Sequence, residues 1–492
     1  MAGFHIEHFG CRAARADGEA IAARLRELSE QQRLDAEVVV VNTCSVTAEA
    51  DRQARAYIRR AHRVNPGARI VVTGCYAQRA PEELASLEGV SAVVGNSHKA
   101  LAPRIIADLA RGAEAACSPE TLVSVDSLLA GSAPIWADDR FAHSFLEETQ
   151  ILSGAQTRPN LKIQEGCGNR CTFCVIPQTR GPSRSLPHAA VLRQVEGFVA
   201  AGGKELVLSG INLGRWGLDL ARPGTSGQWN GFPTLDNSRQ ARIAKDGTTA
   251  AQIVRGGAAA ISLAGLVRDI LEKTGLPRLR LSSIEPMDWN SGLISLMAEF
   301  GGTRLARHAH LPLQSGSDAV LRRMHRRYRP WHYAEKVNAL LRAAGSDLTL
   351  GADVMAGFPG ETDAEFEETL AFIRSLPFGY LHLFPFSPRP GTPGWALHAR
   401  APVPPPVVEE RMARLRELAA GKAAAHRRRF LGCALEAITL HTPAALAALG
   451  RSAALSENFL PIEAEGHFSA NHLLRLHVTG LREDAALLAA PL

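Results

Sequence analysis

The stretch KIQEGCGNRCTFCVIP, residues 162–177, places three cysteines within eight residues: Cys167, Cys171 and Cys174. Their C-x3-C-x2-C spacing lets three thiolates hold one iron–sulfur cube. A [4Fe–4S] cube has four irons, so one iron keeps an open coordination position. The alternative is a zinc site, which usually takes four protein ligands, but the sequence has no second C-x2-C pair. We therefore expect a [4Fe–4S] cluster with one open iron here.

The sequence around this stretch, residues 158–400, alternates strand-like and helical segments. The strand-like segments lie near residues 161, 205, 278, 309, 348 and 380. This repetition predicts an α/β fold with a partial (βα)6 TIM-like barrel, in which the cysteines follow the first strand. Side chains at the carboxyl ends of barrel strands converge on one site. The candidate site residues after the later strands are Gly210, Asn212, Glu285, Gln314 and Asp353.

Residues 1–115 show a βαβαβ pattern in which each strand leads to a cysteine. Cys11, Cys44 and Cys75 occupy these equivalent positions. Because the carboxyl ends of parallel strands meet at one edge of a sheet, we expect the three thiols to gather there. A single cysteine at a strand end is often only a small buried hydrophobic residue. Three of them at equivalent positions favour a second cluster site.

Composition sets broader limits on the class of protein. The 492 residues contain eight cysteines, too few for a disulfide framework in a chain of this length. The sequence has no run of eighteen apolar residues, and its first residues lack a signal-peptide layout. These features predict a globular cytoplasmic protein with several domains and no membrane segment. The 55 basic and 49 acidic residues permit binding to nucleic acid without demonstrating it.

The cysteine stretch resembles the fingerprint of radical S-adenosylmethionine (SAM) enzymes, in which SAM binds the open iron. The strings NTCSVT (42–47) and TGCYAQ (73–78) resemble the N-terminal domain of the methylthiotransferase branch of that superfamily. The resemblance implies two [4Fe–4S] clusters. Cys11, Cys44 and Cys75 would hold an auxiliary cluster, and the 167–174 cysteines would hold the cluster that cleaves SAM.

Within the family, Val46, Thr47 and the string Tyr76–Gln78 resemble enzymes that act on N6-threonylcarbamoyladenosine in tRNA. The implied reaction adds a 2-methylthio group to this nucleoside at position 37, in the anticodon loop. One SAM methylates a sulfur on the auxiliary cluster, and a second SAM yields the radical that opens the C–H bond. The implied electron donor is a protein such as flavodoxin or ferredoxin, whereas the sulfur source is not indicated. The alternatives are the same chemistry on N6-isopentenyladenosine, and a non-catalytic iron–sulfur protein that binds RNA or senses redox state.

The resemblance also assigns roles to single residues. Phe173 would shield the cluster from water, and the five strand-end residues would contact SAM or substrate. Arginines near the barrel mouth are expected to meet tRNA phosphates, although a charge run is often only a solvated helix face. These arginines are Arg180, Arg184, Arg326 and Arg327. Thr362 and Glu365 fit a helix capping box and are therefore left out of the site.

The remaining segments have no predicted chemistry. Residues 116–157 form a Ser-, Pro- and Gly-containing connector, and residues from about 221 to 260 form a polar insertion in the barrel. Residues 401–430 are predicted as a linker helix. Residues 431–492 contain short strand candidates at 434–440, 457–462 and 471–480. They predict a small β-barrel, similar in position to a TRAM module but poor in basic and aromatic residues.

Overall fold

The computed structural model of the protein describes residues 3–31, 37–111, 132–141, 157–220, 261–482 and 486–492. Most of the predicted connector and all of the predicted insertion lie outside these residues. The described strands are β1 (Phe4–His8), β2 (Val38–Thr43), β3 (Arg69–Gly74), β4 (Val90–Gly95), β5 (Ile135–Trp136), β6 (Asn160–Glu165), β7 (Arg184–Ser185), β8 (Glu205–Gly210), β9 (Arg278–Leu281), β10 (His308–His310), β11 (Thr349–Ala356), β12 (Phe378–Pro385), β13 (Ala434–Thr439), β14 (Arg451–Ser456), β15 (Pro461–Glu465), β16 (Leu473–Leu481) and β17 (Leu487–Pro491). The described α-helices are α1 (Arg12–Gln31), α2 (Ala48–Val64), α3 (Cys75–Arg79), α4 (Pro81–Ala85), α5 (Ala102–Ala110), α6 (Ile176–Arg180), α7 (His188–Ala200), α8 (Leu263–Lys273), α9 (Ser291–Phe300), α10 (Asp318–Arg323), α11 (Pro330–Ala344), α12 (Asp363–Ser375), α13 (Pro393–Arg400), α14 (Pro405–Arg428) and α15 (Ala444–Ala447).

The N-terminal part is a five-stranded parallel sheet in the order β1-β2-β3-β4-β5. The β2 sequence VVVVNT is buried at every position, as expected for a continuous β-branched run between helix layers. Helices α1 and α5 supply the apolar side chains on one face, and α2 and α4 supply those on the other. The predicted parallel sheet is confirmed. Its order brings the ends of β1, β2 and β3 side by side.

The central part is the predicted open barrel of six parallel strands. Strands β6, β8 and β9 pair in one sheet, and β10, β11 and β12 pair in another. The two sheets meet beside β9, where the Ala306 amide donates to the Leu279 carbonyl at 2.9 Å. One apolar core runs through the whole unit. The capping box at the start of α12 is confirmed, since Thr362 and Glu365 bond each other's backbone amides.

Helix α14, predicted as a linker, packs along the outer strand β12. His426 Nε2 lies 2.8 Å from Thr349 Oγ1, and Arg411 Nη1 lies 2.9 Å from the Glu361 carboxylate. Both Arg411 and His426 are buried. The helix therefore covers the edge of the open barrel, where an uncovered strand would expose unpaired backbone groups.

The C-terminal part is a closed barrel in the order β13-β14-β15-β17-β16, so the predicted small β-barrel is confirmed. The strand expected over residues 457–462 is wrong in part. Phe459 turns the chain there with φ of 69° before β15 begins. This turn reaches the amino-terminal ends of the central strands, where the Phe459 ring lies 4.4 Å from the His308 ring. The C-terminal barrel thus forms the floor of the central barrel.

Among the described helices, none combines the length and the apolar character needed to cross a lipid bilayer.

Candidate functional site

The cysteine stretch forms a loop between β6 and α6 at the carboxyl end of the central barrel. Gly166 starts the loop with φ of 71°, and a Cβ there would lie 1.9 Å from the Pro182 carbonyl oxygen. The Cys167 amide donates to the Gly181 carbonyl at 3.1 Å, and the Cys174 amide donates to the Cys171 carbonyl at 3.1 Å. This backbone arrangement holds three free thiols in one short loop.

Burial changes the acidity of two of these thiols. Burial and the neighbouring Cys171 raise the pKa of Cys174 to about 12. Burial also raises the pKa of Cys167, against the lowering effect of hydrogen bonds from the Asn169 amide and the Asn212 side chain. Thiols with raised pKa values lose their protons when a metal ion supplies compensating charge. The three closely spaced thiols, with the Asn169 amide and Asn212 Nδ2 as donors to Cys167 Sγ, therefore fit an iron–sulfur cluster.

Polar side chains from other strands surround this loop. Asn212 Nδ2 lies 3.6 Å from Cys167 Sγ, and Arg326 Nη1 lies 3.3 Å from Cys171 Sγ. Arg326 also holds both carboxylate oxygens of Glu285, at 2.7 and 2.8 Å. The structure thus brings Asn212 and Glu285 to the cysteine loop. The buried Asn212 Oδ1 has no hydrogen-bond partner among the described residues, which leaves an acceptor for a bound molecule.

Gly210 lies beside the first strand rather than in an open turn. A Cβ at Gly210 would lie 2.9 Å from Gln164 Cβ, and the Gln164 side-chain oxygen accepts the Asn212 amide at 2.7 Å. Gln164, which the sequence reasoning missed, therefore places Asn212. Phe173 is half-buried against the barrel core.

Gln314 and Asp353 lie next to each other. Gln314 adopts φ of 64°, and its amide donates to the Asp353 carbonyl at 2.7 Å. The Asp353 carboxylate contacts His310 Nε2 at 3.2 Å and His382 Nδ1 at 3.3 Å. Burial raises the pKa of this carboxyl, but the hydrogen bonds from the two histidines outweigh burial and hold the pKa below its usual range. Asp353 is therefore an ionised acceptor inside the barrel.

His310 and His382 were also missed, because the sequence reasoning looked only at residues after each strand. Both belong to strands, and the only available signal was the alternation that turns them toward the lumen. Tyr380 OH lies 3.0 Å from His310 Nδ1 and 2.8 Å from His308 Nε2. The lumen above the Phe459 floor is consequently polar.

A second set of thiols lies at the edge of the N-terminal sheet. Gly10, just before Cys11, adopts φ of 127°, and a Cβ there would lie 2.9 Å from Cys44 Sγ. Burial and the charges of Cys75 and Cys11 raise the pKa of Cys44 to about 12. Asn96 Nδ2 and Arg180 Nε donate to Cys75 Sγ at 3.5 and 3.3 Å, so this set also has the N–H donors that cluster-bound sulfur accepts, and it fits a second cluster.

The arginines expected at tRNA phosphates have different environments. Arg180 and Arg326 are buried and each donates a hydrogen bond to a cysteine sulfur, Arg180 to Cys75 and Arg326 to Cys171. This placement favours a role at the clusters over the phosphate contact expected from the sequence. Arg184 is half-buried and donates to the Arg180 carbonyl, and Arg327, 43% exposed, pairs with Asp288.

Comparison with known proteins identifies the family of the chain. Residues 3–95 match the family described as Uncharacterized protein family UPF0004, and residues 237–373 match the Radical SAM superfamily. The chain is 34% identical to the Threonylcarbamoyladenosine tRNA methylthiotransferase MtaB of Bacillus subtilis (strain 168), over 80% of this chain and 75% of that protein. It is 31% identical to the protein of the same name from Aquifex aeolicus (strain VF5), over 90% of each.

Other likenesses are broader. The chain is 31% identical to the tRNA-2-methylthio-N(6)-dimethylallyladenosine synthase of Novosphingobium aromaticivorans, over 84% of this chain and 81% of that protein. The solved structure of the radical S-adenosylmethionine methyltransferase TsrM from Kitasatospora setae is similar with a TM-score of 0.50 at 15% identity, over 75% of this chain and 67% of that one. At this identity the likeness concerns the fold alone.

Membership of the Radical SAM superfamily implies a [4Fe–4S] cluster and SAM as cofactors. The identity to curated methylthiotransferases extends over most of the chain. The protein is therefore an enzyme that belongs to the radical SAM tRNA methylthiotransferase family.

Proposed function

We propose that this enzyme adds a 2-methylthio group to N6-threonylcarbamoyladenosine at position 37 of tRNA, in the anticodon loop. The observation that carries this choice of substrate is the polar lumen of the central barrel. The relatives named for threonylcarbamoyladenosine support the same choice. The rival substrate, an N6-isopentenyl-type adenosine, is represented among the relatives by the dimethylallyladenosine synthases.

The lumen offers both donors and acceptors to a substrate. Asp353 can accept from a hydroxyl or N–H group, and His382, with a side chain 53% exposed and its Nδ1 on Asp353, keeps its Nε2 for a hydrogen bond to the substrate. A threonylcarbamoyl group carries a hydroxyl, a carboxylate and urea N–H groups, whereas an isopentenyl group is a branched hydrocarbon. An apolar group would form no hydrogen bond with the partly buried Asp353 or with His382, whereas the polar groups of a threonylcarbamoyl substituent would.

An aromatic wall lies beside these polar groups. Tyr380, His382 and Phe384 alternate along β12 and therefore face the same side. The rings of Tyr380 and His382 are 5.2 Å apart, and Phe384 is 39% exposed. Proteins hold splayed bases of RNA loops by stacking on such side chains. We assign this wall to the bases of the anticodon loop, and the half-exposed Arg327 to its phosphates.

We further propose that the chain holds two [4Fe–4S] clusters, one in each cysteine set, within the predicted units 1–115 and 158–400. When bound, the clusters and SAM supply the radical and the sulfur chemistry. The protein's own groups position the reactants. Gly210 lets the first two barrel strands approach closely, and Arg326 orients Glu285. Asn212 and Gln314 would contact the cofactor. A small electron-transfer protein such as flavodoxin or ferredoxin would supply the electrons.

The substrate is tested by mass analysis of tRNA nucleosides from cells that lack this protein. Loss of 2-methylthio-N6-threonylcarbamoyladenosine, restored by the wild-type gene, supports the proposal. An unchanged level of this nucleoside, or loss of the isopentenyl counterpart instead, overturns the choice of substrate.

The cluster count is tested separately by anaerobic reconstitution. Two clusters predict about eight irons per chain, falling to about four when either cysteine triad is replaced by alanine. A wild-type protein that binds about four irons would contradict the two-cluster proposal.

A further inference from the structure

Five charged side chains are buried together where the N-terminal sheet meets the central barrel. We call them the junction cluster: Asp17, Lys99, Lys162, Glu165 and Arg180. Each side chain is at most 10% exposed. Asp17 and Lys99 come from the N-terminal part, and the other three come from β6 and α6. The junction cluster therefore joins the two parts that carry the two cysteine sets.

The two carboxylates of the junction cluster bind all three cations. Asp17 lies 3.1 Å from Lys99 Nζ and 2.9 Å from Arg180 Nη1. Glu165 lies 2.5 Å from Lys99 Nζ and 2.8 Å from Lys162 Nζ. Lys162 also contacts Asp17, and Arg180 also contacts Glu165. Two carboxylates against three cations leave one buried positive charge, which needs an anionic neighbour.

Arg180 directs this excess charge toward the N-terminal cysteines. Its Nε lies 3.3 Å from Cys75 Sγ, and Asn96 Nδ2 lies 3.5 Å from the same sulfur. Its Nη2 is buried without a hydrogen-bond partner among the described residues. A buried N–H group without an acceptor is costly, so this orphan indicates an acceptor that completes the site. Sulfur atoms of a cluster bound by Cys75 would be such acceptors.

Arg326, beside the other cysteine set, differs from Arg180 because a carboxylate balances its positive charge. Its Nη1 donates to Cys171 Sγ at 3.3 Å, but its Nη2 holds both oxygens of Glu285 and its Nε lies 3.2 Å from Tyr328 OH. The Glu285 carboxylate therefore compensates the guanidinium. Among the residues that the structure describes, each cysteine set has one buried arginine on a thiol, and Arg180 is the one that belongs to a group with more cations than carboxylates.

We propose that Arg180 is a positioning residue of the auxiliary cluster, which it holds through hydrogen bonds to Cys75 and the cluster sulfurs and whose reduction potential it raises. This inference rests on the proposed auxiliary cluster. Positive charge and hydrogen bonds to sulfur stabilise the reduced, more negative state of an iron–sulfur cluster. The same guanidinium bonds Asp17 and Glu165, so it links the cluster to both parts of the chain.

The test separates the two clusters by mutation and measures each reduction potential by EPR-monitored titration. The Cys167→Ala, Cys171→Ala, Cys174→Ala protein keeps only the auxiliary set, and the Cys11→Ala, Cys44→Ala, Cys75→Ala protein keeps only the other set. Arg180→Gln and Arg326→Gln are placed in each background. We expect Arg180→Gln to lower the auxiliary potential and Arg326→Gln to leave it unchanged. For the other cluster, we expect Arg326→Gln to lower the reduction potential and Arg180→Gln to leave it unchanged.

An auxiliary potential that is the same with and without Arg180→Gln overturns this inference but leaves the proposed function intact. A different result overturns the proposed function itself. In that result, the Cys167→Ala, Cys171→Ala, Cys174→Ala protein binds no cluster and the wild type binds only one. If Arg180→Gln does not fold, Arg180→Lys replaces it, because lysine keeps the charge but loses the planar pair of donors. A changed EPR spectrum of the auxiliary cluster in Arg180→Lys supports the inference, and an unchanged spectrum and potential refute it.

Discussion

Asp353 and His382 occupy paired positions on neighbouring strands β11 and β12, with 3.3 Å between Asp353 Oδ1 and His382 Nδ1. The contact lies inside the barrel, two positions along β12 from Tyr380. The carboxylate fixes the orientation of an imidazole ring that is otherwise half open to solvent. This pair is therefore the most direct candidate for reading the group attached to N6 of the adenine.

Replacing His382 by Leu should weaken selection of the substrate. We expect kcat/KM on tRNA carrying N6-threonylcarbamoyladenosine to fall at least about 10-fold, because a polar ring nitrogen available to the N6 substituent is lost. Single-turnover assays on matched tRNAs measure this change. His441→Leu, on the exposed surface of the C-terminal barrel, is the control and should behave as wild type. Equal kcat/KM values for the His382 variant and the wild type would rule out this role.

Replacing Phe384 by Ala should weaken binding of tRNA rather than cleavage of SAM. Stacking of one base on an aromatic ring contributes about 1–3 kcal/mol, so we expect Kd to rise roughly 5- to 150-fold. Trp331→Ala is the matched control, since Trp331 is 56% exposed but starts the outer helix α11. Binding assays that show the same loss for both variants would argue against a specific platform at β12.

Replacing Phe459 by Ala should loosen the floor of the central barrel. The ring packs on His308 at 4.4 Å and on Tyr380 at 5.5 Å, and the Arg280 guanidinium lies 5.3 Å from its centre. We expect a loss of about 2–3 kcal/mol in the free energy of unfolding, below the full cost of a core Phe because the ring is half-buried. Thermal unfolding measures this loss. Leu449→Ala, 63% exposed, should leave the transition in place.

The Glu205 carboxyl should make the free energy of unfolding depend on pH. Burial raises the pKa of Glu205, but Arg280, Arg158 and Arg278 outweigh this effect and lower the pKa to about 2. A carboxyl with a lowered pKa stabilises the fold above its ordinary pKa of 4.5, and this stabilisation is lost as the pH falls from 4.5 toward 2. Removing one partner of a buried ionic group costs about 3–5 kcal/mol, so Glu205→Gln should be less stable near pH 7.

The melting temperature of the Glu205→Gln protein should consequently fall less steeply than that of the wild type between about pH 5 and pH 3. Glu299→Gln, an exposed carboxylate 49% accessible to solvent, is the control and should follow the wild-type curve. Parallel curves for wild type and Glu205→Gln would show that another group sets the acid sensitivity.

The local pattern of apolar residues was sufficient to predict the strands and helices of the fold. Continuous β-branched runs predicted the buried parallel strands, and the regular spacing of strand and helix predicted the open barrel, because these periods follow from backbone geometry alone. The same reasoning failed at Phe459, where an apolar segment that suits a strand turns under the neighbouring barrel. There, contacts with His308 and Tyr380 outweigh the local preference.

The chain order alone predicted two sets of cysteines, because Cys167, Cys171 and Cys174 are close in sequence and Cys11, Cys44 and Cys75 follow equivalent strands. Only the tertiary structure decided which groups surround them. Arg180 lies in an exposed-looking basic segment, yet the fold buries it against Cys75, which is 105 residues away. Arg326 likewise reads as part of a charged helix face but reaches Cys171. Charge in a sequence shows only that a partner is required, and the folded chain selects that partner.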